Sequence, residues 1–116
     1  MLRTFIELPA FTRLVSSKQL SDDQVASVQE GILNGGGQTI SQTGGVKKIR
    51  CEDAGKGKSG GWRVLFADYD REAVTVLIWA FPKNRQADLT APQKKVIRGI
   101  KLRLDDEIRV QYGKAE

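Results

Sequence analysis

From Trp62 to Phe81 the chain reads WRVLFADYDREAVTVLIWAF. Two runs rich in β-branched and aromatic residues flank Asp70-Arg71, which predicts two strands, Trp62 to Tyr69 and Ala73 to Phe81, joined by a tight turn. In the second run Val74, Thr75, Val76, Leu77, Ile78 and Trp79 are apolar or β-branched without alternation, the pattern of a central strand covered on both faces. One face must therefore bury Trp79 or its neighbours under a helix.

Upstream, Val46 to Cys51 reads as the partner strand, joined to Trp62 by the glycine-rich segment Ala54-Gly55-Lys56-Gly57-Lys58-Ser59-Gly60-Gly61. Leu2 to Leu8 alternates in part, with Leu2, Ile6 and Leu8 on one side and Arg3 and Glu7 on the other, and is expected to be an opening strand. Pro9 permits a short helix through Phe11, Leu14 and Val15. Ser21-Asp22-Asp23-Gln24 is a capping-box signature. The helix it opens carries Val25, Val28, Ile32 and Leu33 at helical spacing and ends at Asn34-Gly35-Gly36-Gly37. A polar loop is expected from Gly35 to Gly45. Downstream, Thr90-Ala91-Pro92-Gln93 starts a last helix with Ile97, Ile100, Leu104 and Ile108 in one stripe. The order β, α, α, β, β, β, α predicts an α+β fold: an antiparallel sheet covered by two N-terminal helices and one C-terminal helix. At 116 residues the chain is expected to form one domain, 1–116.

Several functions are set aside by composition. The chain has no histidine, so Ser-His and Cys-His nucleophile pairs are impossible and the commonest metal ligand is missing. No metal or cofactor is expected. The single cysteine, Cys51, cannot form an internal disulfide and reads as a small, inert core residue of a protein in a reducing compartment. No apolar run is long enough to span a bilayer, and Met1 to Phe11 lacks the pattern of a signal peptide, so no membrane partner and a cytoplasmic location are expected.

The charge is concentrated. Residues 1–43 carry three basic and four acidic side chains, whereas residues 44–63 carry Lys47, Lys48, Arg50, Lys56, Lys58 and Arg63 against Glu52 and Asp53, for +4 of the total +5. Such a segment favours polyanions, nucleic acid above all. Gly55-Lys56-Gly57-Lys58-Ser59 imitates the end of a P-loop, but the leading glycine position holds Glu52 and the segment runs into a strand instead of a helix. What remains is a lysine-bearing tip. Period-two alternation places Val46, Lys48 and Arg50 on one face of their strand, with Lys47, Ile49 and Cys51 on the other. On the partner strand Arg63 shares its face with Leu65, Ala67 and Tyr69, and an arginine among apolar neighbours needs an anion. That anion is either an internal carboxylate, Asp68, Asp70 or Glu52, or a bound phosphate.

Four blocks, taken together, resemble the HigB branch of the RelE/ParE toxin superfamily: Thr43-Gly44-Gly45-Val46-Lys47-Lys48-Ile49-Arg50, Gly55 to Phe66, Phe81-Pro82-Lys83-Asn84 and Asp88-Leu89-Thr90. The resemblance extends over residues 2–108. It implies a toxin that cuts mRNA in the ribosomal A site and is neutralised by a cognate antitoxin, a helix-turn-helix protein. It also implies metal-independent chemistry, in which the ribose 2′-oxygen attacks the adjacent phosphate. Transferred by block, Arg63 stabilises the transition state on the phosphate and Lys48, Arg50 and Lys83 complete the catalytic set. Lys48 is the candidate for proton transfer, because a lysine crowded by like charge loses a proton more readily than an arginine. Lys47, Lys56, Lys58, Asn84 and Arg85 become RNA contacts, and Phe81 either stacks on a base or packs in the core.

The RelE branch has an arginine where this chain has Asn84 and a tyrosine near the place of Thr90; Arg85 replaces the first by a shift of one residue, and neither Tyr69 nor Tyr112 stands near the second. Two other readings share the fold: a ParE-like poison of DNA gyrase that cuts nothing, and a non-catalytic RNA-binding domain.

Overall fold

The computed structural model describes residues 2–52 and 61–113. Eight elements follow one another: β1 (Thr4–Glu7), α1 (Pro9–Ser16), α2 (Asp22–Leu33), β2 (Gln38–Thr39), β3 (Lys47–Cys51), β4 (Trp62–Tyr69), β5 (Val74–Pro82) and α3 (Ala91–Tyr112). Local chemistry sets most of the boundaries. Pro9 opens α1, where its missing N–H costs nothing. Ser21 with Gln24 and Thr90 with Gln93 form complete capping boxes at the starts of α2 and α3.

The strands form one sheet in the order β1-β5-β4-β3-β2. The meander β3-β4-β5 is antiparallel as expected, and the α+β class and element order stand. One feature corrects the expected antiparallel sheet: β1 runs parallel to β5, with Thr4 opposite Val74 and Glu7 opposite Leu77. Parallel pairing needs a long crossover, supplied here by everything from α1 to β4. A second correction is β2, a two-residue strand against Lys47 and Lys48 inside the expected polar loop. The turn from β2 into β3 is closed by Thr43, fully buried, whose hydroxyl donates to the Ile40 carbonyl at 2.7 Å and accepts from the Val46 N–H at 3.1 Å. Gly44 and Gly45 follow at φ of 76° and 107°, which β-carbon-bearing residues rarely adopt.

Helices cover both faces. Phe11, Val25, Val28 and Ile32 from α1 and α2 meet Val64, Phe66, Leu77 and Ala80 on one side. On the other, Ile97, Leu104 and Ile108 of α3 meet Val46, Leu65, Ala67, Val76 and Ile78. Two residues of the apolar patterns stay outside the core. Leu2 is 94% exposed, lying before β1 begins, and Leu33 is 57% exposed at the last turn of α2. A register shift next to Leu65 and Phe66 leaves Ile78 without a partner on β4, a β-bulge of the kind that re-aims neighbouring side chains. Ile78 is buried under α3, while Trp79 is only half-buried.

Candidate functional site

At the Trp62 end of the sheet, on the face that carries α3, three strands bring a row of residues into register. Arg50 of β3 is opposite Arg63 of β4, and Arg63 is opposite Phe81 of β5. Lys48 is opposite Leu65, one diagonal step from Arg63, about 7–8 Å between backbones. Directly opposed like charges destabilise a sheet, so this pair of arginines needs an anion close by. Glu52 supplies one, with its Oε1 3.1 Å from Arg50 Nε.

Arg63 has no such partner. Its side chain is half-buried and Nη1 donates at 3.4 Å to the carbonyl of its own neighbour Trp62; among the described residues no carboxylate lies within ion-pair distance. The acids that could have taken it are engaged elsewhere: Asp68 with Arg3 at 3.5 Å and Lys47 at 3.8 Å, Asp70 with Arg3 at 2.9 Å, and Glu52 with Arg50. The internal ion pair open to Arg63 in the sequence is therefore not made. A guanidinium on a strand, without a carboxylate partner among the described residues, has the planar fork that can take two oxygens of an outside anion.

The loop leaving β5 completes the site. The Lys83 N–H donates to the Gly61 carbonyl at 2.9 Å, placing Lys83 beside the start of β4. Gly61 stands at φ 67°, where an added β-carbon would come within 2.6 Å of the Cys51 carbonyl oxygen, so the close approach of β3, β4 and this loop requires glycine. Lys83, Asn84 and Arg85 are all exposed, and neither cation of the three is paired with a carboxylate among the described residues.

Other candidates lie elsewhere. Lys47 is on the opposite face, paired with Asp68. Phe81 is 2% exposed, packed in the α3 core with its ring centroid 5.7 Å from that of Trp79; core packing, not base stacking, is what its position supports. Lys56 and Lys58 lie outside the described residues. Cys51 is buried, as expected of an inert core thiol. Tyr69 shares the α3 face but sits six residues along β4 from Arg63, roughly 20 Å away. Its hydroxyl donates to Asp105 Oδ1 at 2.8 Å, and burial together with that carboxylate pushes its pKa far up. It is no substitute for a tyrosine near Thr90.

Asp88 is the residue that sequence reasoning passed over. Its Oδ2 lies 3.4 Å from Lys48 Nζ, and the Leu89 N–H, donating to Oδ1 at 2.8 Å, with Lys48 beside it, holds the carboxyl below the usual range against the cost of its partial burial. The only sequence signal was its place in the Asp88-Leu89-Thr90 block, to which no role was attached. Among the described residues no group of three or more His, Cys, Asp or Glu is placed to hold a metal ion, and no helix is long and apolar enough to cross a membrane.

What the arrangement can do is grip a phosphate between Arg63, Lys48 and Arg50 on a sheet floor, with Lys83 and Arg85 at the rim. The model of the RelE toxin of the RelE/RelB toxin-antitoxin system matches residues 3–110, which takes in β1 to β5 whole and α3 as far as Val110. The chain belongs to the RelE toxin family, and with it goes the role of toxin to an antitoxin partner.

Proposed function

We propose that this toxin is a ribosome-dependent mRNA endonuclease of the HigB branch, with Arg63 as the group that meets the scissile phosphate. The observation that carries the reading is the half-buried Arg63 guanidinium, without a carboxylate partner among the described residues and directly opposite a second arginine. A sheet tolerates that arrangement when an anion from outside completes it. In the proposed reaction the 2′-oxygen forms a bond to phosphorus as the bond to the 5′-oxygen breaks. Net, one proton passes from the 2′-hydroxyl to the leaving 5′-oxygen, and neither water nor metal is consumed. The products are a cyclic 2′,3′-phosphate and a 5′-hydroxyl. Cations fixed before the reaction stabilise charge as it develops, which is where preorganised electrostatics contribute most.

Lys48, Arg50 and Lys83 are proposed to complete the catalytic set with Arg63, Asn84 and Arg85 to contact RNA, and Lys56 and Lys58 to contact further phosphates. A cognate helix-turn-helix antitoxin, ribosomes and mRNA are the proposed partners, in the cytoplasm. The test is to map mRNA 5′ ends after brief induction in cells lacking the antitoxin. The expected result is new 5′-hydroxyl ends inside translated frames, with free RNA left intact by the purified protein. Growth arrest with intact mRNA and damaged DNA would instead identify a gyrase poison, and RNA binding without any new ends a non-catalytic binder.

A further inference from the structure

Asp88 and Lys48 are 40 residues apart in sequence, and their contact ties β3 to the loop between β5 and α3. The two partners differ in freedom. Asp88 is anchored: Oδ1 accepts from the Leu89 N–H, its carbonyl accepts from Gln86 Nε2 at 2.8 Å, Leu89 is buried, and Thr90 caps α3. Gln86 Nε2 also reaches Gln93 Oε1 at 2.8 Å, locking the loop to the capping box. Lys48, by contrast, ends in an ammonium on a flexible four-carbon stem, and holding it in one place costs rotamer entropy.

We propose that Asp88 is a positioning residue for this site: it fixes the Lys48 ammonium beside Arg63, so that the lysine is in place before RNA arrives. The proposal rests on the cleavage reading given above. An ammonium has three N–H donors and no acceptor. One faces Asp88, and the other two are left for phosphate oxygens, which makes Lys48 a donor to the reacting group. Among the described residues, the charges that act on Asp88 are Lys48 from β3 and Lys94 from α3. With Lys48 side chain 25% and Asp88 49% exposed, RNA can approach both without the loop opening.

The experiment is a double-mutant cycle in single-turnover cleavage of mRNA on programmed ribosomes, with Asp88→Asn, Lys48→Ala and the two combined. Asparagine keeps an oxygen for the Leu89 N–H and removes only the charge that holds Lys48. Asp88→Asn is expected to slow cleavage about 10- to 100-fold, the scale of a misplaced catalytic group. Its affinity for a 2′-deoxy oligonucleotide should be unchanged or tighter, because a negative charge has left a phosphate site. Lys48→Ala should add little to it, and Asp88→Glu should recover part of the rate. Wild-type cleavage by Asp88→Asn, losses that multiply in the combined variant, or a parallel fall in RNA affinity would each overturn the proposal. The pinning is also read without cleavage, from the 15N signal of the Lys48 ammonium. That signal should be protected from solvent exchange in the wild type and lost in Asp88→Asn, and its absence from the wild type would overturn the proposal too. A wild type that shows the signal but leaves mRNA whole would refute the cleavage reading alone.

Discussion

Arg3 and Arg63 lie at opposite ends and on opposite faces of the same sheet, and they are treated differently. Arg3, its side chain 16% exposed, is surrounded: Asp68, Asp70, the Val74 carbonyl and the hydroxyl of Thr75 all accept from it or pair with it. Among the described residues Arg63 has its neighbour's carbonyl and, across the strand, an arginine that Glu52 already holds. The first arrangement is what stability asks of a partly buried cation. The second costs stability, and a fold keeps such a feature where something else requires it. On the proposed reading, charge is neutralised where the chain only has to hold together and left open where it would meet RNA.

That contrast can be broken on purpose. Arg50→Glu places a carboxylate directly opposite Arg63, giving it the kind of partner Arg3 has. Cleavage should fall by about 100-fold or more as the guanidinium turns inward, while thermal stability holds or rises by up to ~1 kcal/mol; a single-turnover assay and a melting curve on the same preparation check both. Arg3→Ala should do the reverse. Stability should fall by about 2 kcal/mol, since Asp68 and the buried Thr75 hydroxyl lose a partner, with cleavage by the folded fraction unchanged. Denaturant titration gives the first number and the ribosome assay the second.

Smaller effects follow from pH. Burial and Asp105 raise the Tyr69 pKa, so the folded state prefers the protonated phenol. Its contribution is complete below the ordinary tyrosine value near 10 and is lost as pH climbs above it. Stability should decline above about pH 10 in the wild type and decline less steeply in Tyr69→Phe. Asp88 has the opposite sign: its carboxyl is held low by the Leu89 N–H, so its contribution is present above the ordinary carboxylate range and fades as pH falls through and below it. Because the side chain is half-exposed, the change in denaturation midpoint between pH 7 and pH 3 should differ only slightly between Asp88→Asn and wild type.

The legible parts of this molecule were local. Capping boxes at Ser21 and Thr90 announced two helices, and alternation put Lys48 and Arg50 on one face of their strand and Arg63 with Leu65 and Ala67 on its own; the register then brings the three together. What escaped the sequence depends on distant pairings. The parallel β1–β5 contact joins residues about 70 apart, and nothing in Thr4 to Glu7 marks its direction. Leu2 and Leu33 fit an apolar pattern but stand just outside a strand and at a helix end, where no neighbour covers them. That Arg63 is left without an acid among the described residues could be known only once Asp68 and Asp70 were seen to belong to Arg3 and Lys47. Asp88 carried no periodicity, and its place in the Asp88-Leu89-Thr90 block named no role; its proposed role comes from a contact across 40 residues.

The proposed role of Arg63 at the scissile phosphate is tested most directly by single-turnover cleavage of A-site mRNA by Arg63→Ala. The account predicts a loss of about 100- to 1,000-fold in a protein whose melting temperature is unchanged or slightly raised. Cleavage within twofold of the wild type, or a loss that merely tracks unfolding, would contradict it.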